Sequence, residues 1–212
     1  WEKTLTELVA QRERFEEDEL PDQLDQWLQN PPKKTTDQPD WAILGNAEPK
    51  SLEGSTFVPQ QDGSFLLAGM NPKNDRWVVT AKVALPNVRA IRIEALSDKS
   101  MKKKGPGRAS NGNFVLSDFR VFAKPMDTEG RGKPVKLVNP QGDFQPSNDK
   151  FSAASAIDDD PRGTGWSSSP QVGKDHACLF EFAEAFENKG GTVFTFELDY
   201  MQKNANHVIG RP

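Results

Sequence analysis

The sequence predicts an all-β protein: an antiparallel β-sandwich with a short N-terminal helical appendage. Two observations carry this. After Trp41 the apolar residues recur with period two, as in Ile91, Ile93 and Ala95 set against Arg92 and Glu94. Such strands have one wet face, the mark of an antiparallel sheet. No strand–helix alternation occurs, which argues against a parallel α/β fold. The 16 Gly and 16 Pro among 212 residues point the same way, to many turns and few long helices.

Residues 1–30 read as a helical lead-in. Leu5, Leu8, Val9 and Phe15 recur at three- and four-residue spacing with Glu and Arg between them. Pro21 suits the first turn of a second short helix bearing Leu24, Trp27 and Leu28. The run Asn30-Pro31-Pro32-Lys33-Lys34-Thr35-Thr36 then breaks the pattern, so residues 31–40 read as a linker. The remainder, 41–212, reads as the sandwich.

Its strands are Trp77–Val83, Arg89–Leu96, Phe114–Ala123, Phe180–Phe182 and Phe194–Leu198. They fall into two similar sets. WVVTAKVALPNVRAIRIEAL precedes a loop and NFVLSDFRV, and CLFEFAEAFENKGGTVFTFELDY precedes a loop and HVIGRP. Each set reads as two strands joined by a short turn, followed by a polar loop and a third strand. At about 85 residues per set, one sandwich built from both is expected rather than two stacked ones, since small sandwich domains run to about 100 residues. Ile91, Ile93, Phe194 and Phe196 are the expected core.

Several function classes find no support. A net charge of −4 is unsuited to a general nucleic-acid binder. No apolar run approaches the roughly 20 residues that span a bilayer, and no charged-then-apolar leader opens the chain. The start at Trp1 without Met and the stop at Pro212, just after a strand, read as a segment of a longer protein with a truncated C-terminal end. The single cysteine, Cys178, excludes a disulfide framework. Neither Gly-x-Ser-x-Gly nor a phosphate-binding loop is present, and no carboxylates form an evident acid–base couple. The chain is therefore expected not to be an enzyme.

Candidate binding residues lie in loops. In GPGRASNGNF, Gly105, Gly107 and Gly112 permit positive φ, Pro106 fixes a turn, and Asn111 and Asn113 can bond their own neighbours. Alternatively Arg108, Asn111 and Asn113 form a binding edge for sugar hydroxyls or carboxylates. Lys102-Lys103-Lys104 would favour an anionic polymer. His176 and His207 lack metal-ligand spacing and read as strand-end hydrogen-bonding residues, with His176 also a ligand candidate beside Arg162.

The string Ala156-Ile157-Asp158-Asp159-Asp160-Pro161-Arg162-Gly163-Thr164-Gly165-Trp166 resembles the A-x-D-G-(few)-T-x-W signature of discoidin-like, galactose-binding-like sandwiches, with Asp159 where that family has Gly. The resemblance implies a discoidin- or jelly-roll-like fold. It leaves Trp166 as a core anchor or a sugar-stacking platform. It also implies that Asp158, Asp159 and Asp160 hold a structural Ca²⁺ or serve as turn carboxylates. Together IRIEALSD, GPGRASNGNFVLSDF, AIDDDPRGTGW and NHVIGRP are similar to a segment of large multidomain planctomycete proteins with cytochrome-c-like regions. That similarity implies an extracytoplasmic setting and a non-catalytic sandwich between other domains. With no C-x-x-C-H here, any haem would lie elsewhere in the parent. The expected function is a carbohydrate-binding-like module that contacts a glycan. The alternative is a spacer or protein-interaction domain positioning neighbouring haem or catalytic domains.

Overall fold

The computed structural model describes residues 2–29, 40–85, 87–144, 146, 149–187, 190–203 and 206–212. The chain divides into two compact units, 1–42 and 43–212. The expected linker falls almost wholly on residues 30–39, outside the described ones, as do the side chains of Trp27 and Leu28.

The first unit is one helical run rather than two helices. Helix α1 (Glu2–Arg14) passes through a π-helical stretch, Phe15–Glu19, into α2 (Leu20–Gln29). The Leu20 N–H bonds back to the Phe15 carbonyl, five residues earlier. That wider turn lies just ahead of Pro21, which has no N–H to continue an α-helical ladder. Leu5, Leu8, Val9, Phe15, Leu20 and Leu24 are exposed. Among the described residues no helix is long and apolar enough to cross a membrane.

The second unit is all-β, and its paired strands are antiparallel. The strands are β1 (Glu48–Ser51), β2 (Ser55–Pro59), β3 (Phe65–Gly69), β4 (Asp75–Val83), β5 (Asn87–Ala95), β6 (Val115–Leu116), β7 (Asp118–Pro125), β8 (Lys133–Val135), β9 (Leu137–Gly142), β10 (Trp166–Ser167), β11 (His176–Glu187) and β12 (Thr192–Tyr200). A five-stranded sheet, β1-β4-β12-β7-β8, faces a three-stranded sheet, β5-β11-β9. Hairpin β2-β3 and ribbon β6-β10 form two further two-stranded sheets. The sheets meet through aromatic rings: Phe119 lies 5.0 Å from Phe180, and Phe194 lies 5.8 Å from Phe182.

The short connections within the two expected strand sets do not make hairpins. β4 and β5 lie in different sheets, as do β11 and β12; instead β4 pairs with β12 and β5 with β11. Each short connection is thus a corner that carries the chain from one sheet to the other. Phe194 and Phe196 are buried, as expected. Ile91 and Ile93 pack against the core but remain only partly buried. The reason is position: β5 is an edge strand of the narrower sheet. The expected Phe114–Ala123 strand divides in two at Ser117, whose N–H bonds to the Asp199 carbonyl at 2.7 Å.

Residues 208–212 lace the end of the body together. Their carbonyls accept from the N–H groups of Phe65, Leu67, Leu96 and Arg108, and the Gly210 N–H donates to Pro106. Val208 and Ile209 are fully buried beneath.

Candidate functional site

The 105–113 loop is braced from within. Asn113 is buried, and its Oδ1 accepts from the Ser167 hydroxyl (3.0 Å), the Ser168 N–H (3.2 Å) and the Ser168 hydroxyl (3.0 Å). Asn111 is exposed, and its Oδ1 takes the Asn113 N–H at 3.1 Å in a local turn. Arg108 donates to the carbonyls of Met70 (2.6 Å) and Gly69 (3.1 Å), which ties the loop to the β3–β4 connection. Burial lowers its pKa, with the Asp75 charge opposing. Of the expected binding edge, only Asn111 presents an exposed side chain.

Two further candidates are interior residues. Trp166 is 1% exposed and packs edge-on to Phe114 at 4.8 Å, so it is the core anchor and offers no face to a sugar. His176 is 4% exposed, with Nδ1 3.0 Å from Asp143 and Nε2 2.8 Å from the Gln171 carbonyl. Both ring nitrogens are engaged in holding the start of β11. Neither residue is placed to contact a ligand.

The acidic loop forms a hydrogen-bonded turn. Asp158 Oδ1 accepts from the Asp160 N–H (2.9 Å) and the Thr164 hydroxyl (3.2 Å). Asp160 accepts the Arg162 N–H, and Asp159 sits at φ 61°. Among the described residues no three His, Cys, Asp or Glu side chains converge on one point. Asp158 closes its own turn through Oδ1.

That loop lies between two depressions. One, of about 580 Å³, is lined by Pro146, Asp149, Ser152, Ala154, Ser155 and Asp158. The other, of about 480 Å³, is lined by Lys73, Asn74, Arg162, Met201, Gln202 and Lys203. The first has carboxylates and hydroxyls, and the second has cations and amides. No family model, curated protein or solved structure matches this chain. The chemistry of these depressions must therefore carry the functional reading.

A second charged group escaped the sequence reading. On the face of the five-stranded sheet turned from the core, Asp118 and Asp199 are opposed in register, each almost wholly buried. Arg120 bonds to both, Arg76 pairs with Asp199, and Arg120 and Arg131 both reach Glu197. The sequence signal was Asp and Arg two residues apart in SDFRV beside Glu and Asp two apart in ELDY, which puts each pair on one strand face. Asp118 Oδ1 has no hydrogen-bond partner. Burial, with Asp199 and Asp159 nearby, pushes Asp118 up to about 6 against the opposing pull of Arg120.

Because the folded-state pKa of Asp118 exceeds the ordinary 3.8, the folded protein holds a proton between these two values that the unfolded chain has lost. Its stability contribution is present below that window, falls as pH rises through it, and stays low above about 6. Asp118→Asn should raise the melting temperature at pH 8 by a few degrees, with the gain shrinking by pH 5. Equal loss of stability at both pH values would show that the charge is needed by Arg120 more than burial opposes it.

Proposed function

We propose that this chain is a non-catalytic saccharide-binding module of a larger extracytoplasmic protein, with a discoidin- or jelly-roll-like fold. The fold reading is supported by the five- and three-stranded sheets, which together supply the eight strands of a double-sheet jelly roll. The resemblance of 156–166 to the galactose-binding-like signature supports it too. The functional reading rests on one observation: Asp149 and Asp158 line the same concave depression with Ser152 and Ser155. Carboxylates accept hydrogen bonds from sugar hydroxyls, and charged acceptors make the stronger bonds. Pro146 and Ala154 supply an apolar wall for the sugar ring. Any calcium would bind through Asp158 and would be a support for this wall. Haem belongs, on this reading, to other parts of the parent.

A glycan array probed with the 212-residue protein, with calcium and with chelator, tests the reading. Binding should fall at least tenfold in Asp149→Asn, about 1.4 kcal/mol, at unchanged melting temperature. An array with no retained saccharide in either condition would overturn it.

One observation favours a second reading, a spacer or protein-interaction domain. Leu5, Leu8 and Val9 form an exposed apolar group at helical spacing on α1. A neighbouring domain of the parent would be what this group contacts.

A further inference from the structure

The depression on the other side of the 158–165 loop has opposite chemistry. Lys73 enters it from the β3–β4 connection, Arg162 from the acidic loop, and Gln202 and Lys203 from the segment after β12. Among the described residues no carboxylate lines it. Among the described residues none of the three cationic heads forms an ion pair; the nearby Asp160 is bonded to the backbone N–H of Arg162. Asp199, close by in sequence to Gln202, is already held by Arg76 and Arg120.

The remaining polar groups are mostly donors as well. Gln202 Oε1 is occupied by the Lys203 N–H at 2.8 Å, which leaves its NH₂ to donate. The amide of Asn74, in its satisfied orientation, donates to the carbonyls of Gln202 (3.2 Å) and Lys73 (3.0 Å). The depression thus holds three positive charges and a free amide donor beside the thioether of Met201, and among the described residues no aromatic ring lines it on which a neutral sugar could stack. A ligand that satisfies it must be anionic and rich in acceptors.

We infer that the Lys73–Arg162–Lys203 depression is a second binding site, one that takes the oxyanion of an acidic saccharide. This goes beyond the Asp149–Asp158 depression and rests on the proposed saccharide function only for the sugar carrier of the charge. The oxyanion itself follows from the donors. Compact phosphate sites use converging backbone N–H groups, and here the Lys203 and Asn206 N–H groups are bonded to Gln202 Oε1 and the Lys73 carbonyl. Long exposed side chains suit an anion repeated along a polymer, where modest single-site binding is multiplied by avidity. Nucleic acid fits poorly, because three cations do not make a continuous basic track and the chain's net charge is −4.

The test uses one polymer backbone in three charge states: dextran, carboxymethyl-dextran and dextran sulfate. Affinity electrophoresis of the full chain should show retardation by one or both charged dextrans, none by dextran, and weakening as NaCl rises from 50 to 300 mM. Preference between the charged forms identifies carboxylate or sulfate as the oxyanion. The combined variant Lys73→Ala, Arg162→Ala, Lys203→Ala should lose at least tenfold in affinity at unchanged melting temperature. Asp149→Asn should leave charged-dextran binding intact, so failure of the first depression and failure of this one are separable. No retardation by either charged dextran overturns the inference, as does equal retardation of wild type and the combined variant. Complete displacement by millimolar inorganic phosphate also overturns it, making this a site for a small free anion. Tighter binding to single-stranded DNA than to either dextran would reassign it to nucleic acid.

Discussion

Asp75→Ala should destabilise the fold by about 3–5 kcal/mol, the cost of breaking a buried, fully bonded charged group. The Asp75 carboxylate is completely buried at the start of β4. It accepts from the Ser51 hydroxyl (2.8 Å), the Ser55 hydroxyl (2.9 Å), the Glu53 N–H (3.2 Å) and the Trp77 indole N–H (2.9 Å). Those donors come from β1, the turn after it, β2 and β4, so one carboxylate ties together the corner where the chain enters the five-stranded sheet. Alanine would leave the buried Ser55 hydroxyl and Trp77 indole N–H without their acceptor, at about 1–3 kcal/mol apiece, while the exposed Glu53 N–H keeps the Ser51 hydroxyl at 3.2 Å. For a domain of this size the melting temperature should drop roughly 6–20 °C. Trp77→Phe, which deletes one donor and replaces the indole with a smaller aromatic ring, should cost less. A drop under about 3 °C for Asp75→Ala would mean that water replaces the carboxylate and that the corner is held by the Phe57–Trp77–Tyr200 ring contacts instead.

The strand positions were legible because period two is a local property of the chain. Which strands pair is not local. WVVTAKV and VRAIRIEAL are separated by a short turn, and a short turn most often makes a hairpin. Here it makes a corner, because inward faces of both strands are apolar and both must reach one core from opposite sheets. Asp75 shows the converse limit. Its in-phase position with Trp77, Val79 and Ala81 placed a carboxylate on the core face, which was a readable signal of a buried hub. Its four donors lie 2 to 24 residues away, and no spacing rule would have collected them.

The candidate site was legible only in part. Residues 156–166 supply Asp158 and Arg162 to the walls of two depressions, which is as far as the motif reaches. Asn113, Trp166 and His176 carry side chains that bind ligands in other settings, but here each is buried among its own partners. Residue type cannot distinguish these uses. Lys73, Lys203 and Asp149 carried no sequence signal, because surface charges are common and only the fold brings distant ones to a shared wall.

Gly107→Ala should be the most disruptive change in the 105–113 loop, and the reason differs from the one the sequence suggests. Gly105 and Gly112 do take positive φ, 76° and 83°, but Gly107 does not. Its need for glycine is spatial: a β-carbon there would sit 1.9 Å from the Asn113 carbonyl oxygen and 2.1 Å from its carbon. These are backbone atoms, so no rotamer change relieves the clash. The two strands of the loop must separate. Separation breaks the Gly107 N–H bond to Gly112, the bridge to Ile209 and the Arg108 N–H bond to Val208. It also pulls on Asn113, which latches the loop to Ser167 and Ser168. We expect a loss above about 4 kcal/mol, in the range reserved for severe core or backbone lesions, seen as a fall of at least 8 °C in melting temperature. Arg108→Ala removes only two bonds to partly solvated carbonyls and should cost about 1–2 kcal/mol. Asn111→Ala should cost less still. If Gly107→Ala melts within 2 °C of wild type while Arg108→Ala falls further, the loop is held from outside by its arginine. The close backbone approach at Gly107 would then not be what fixes its shape.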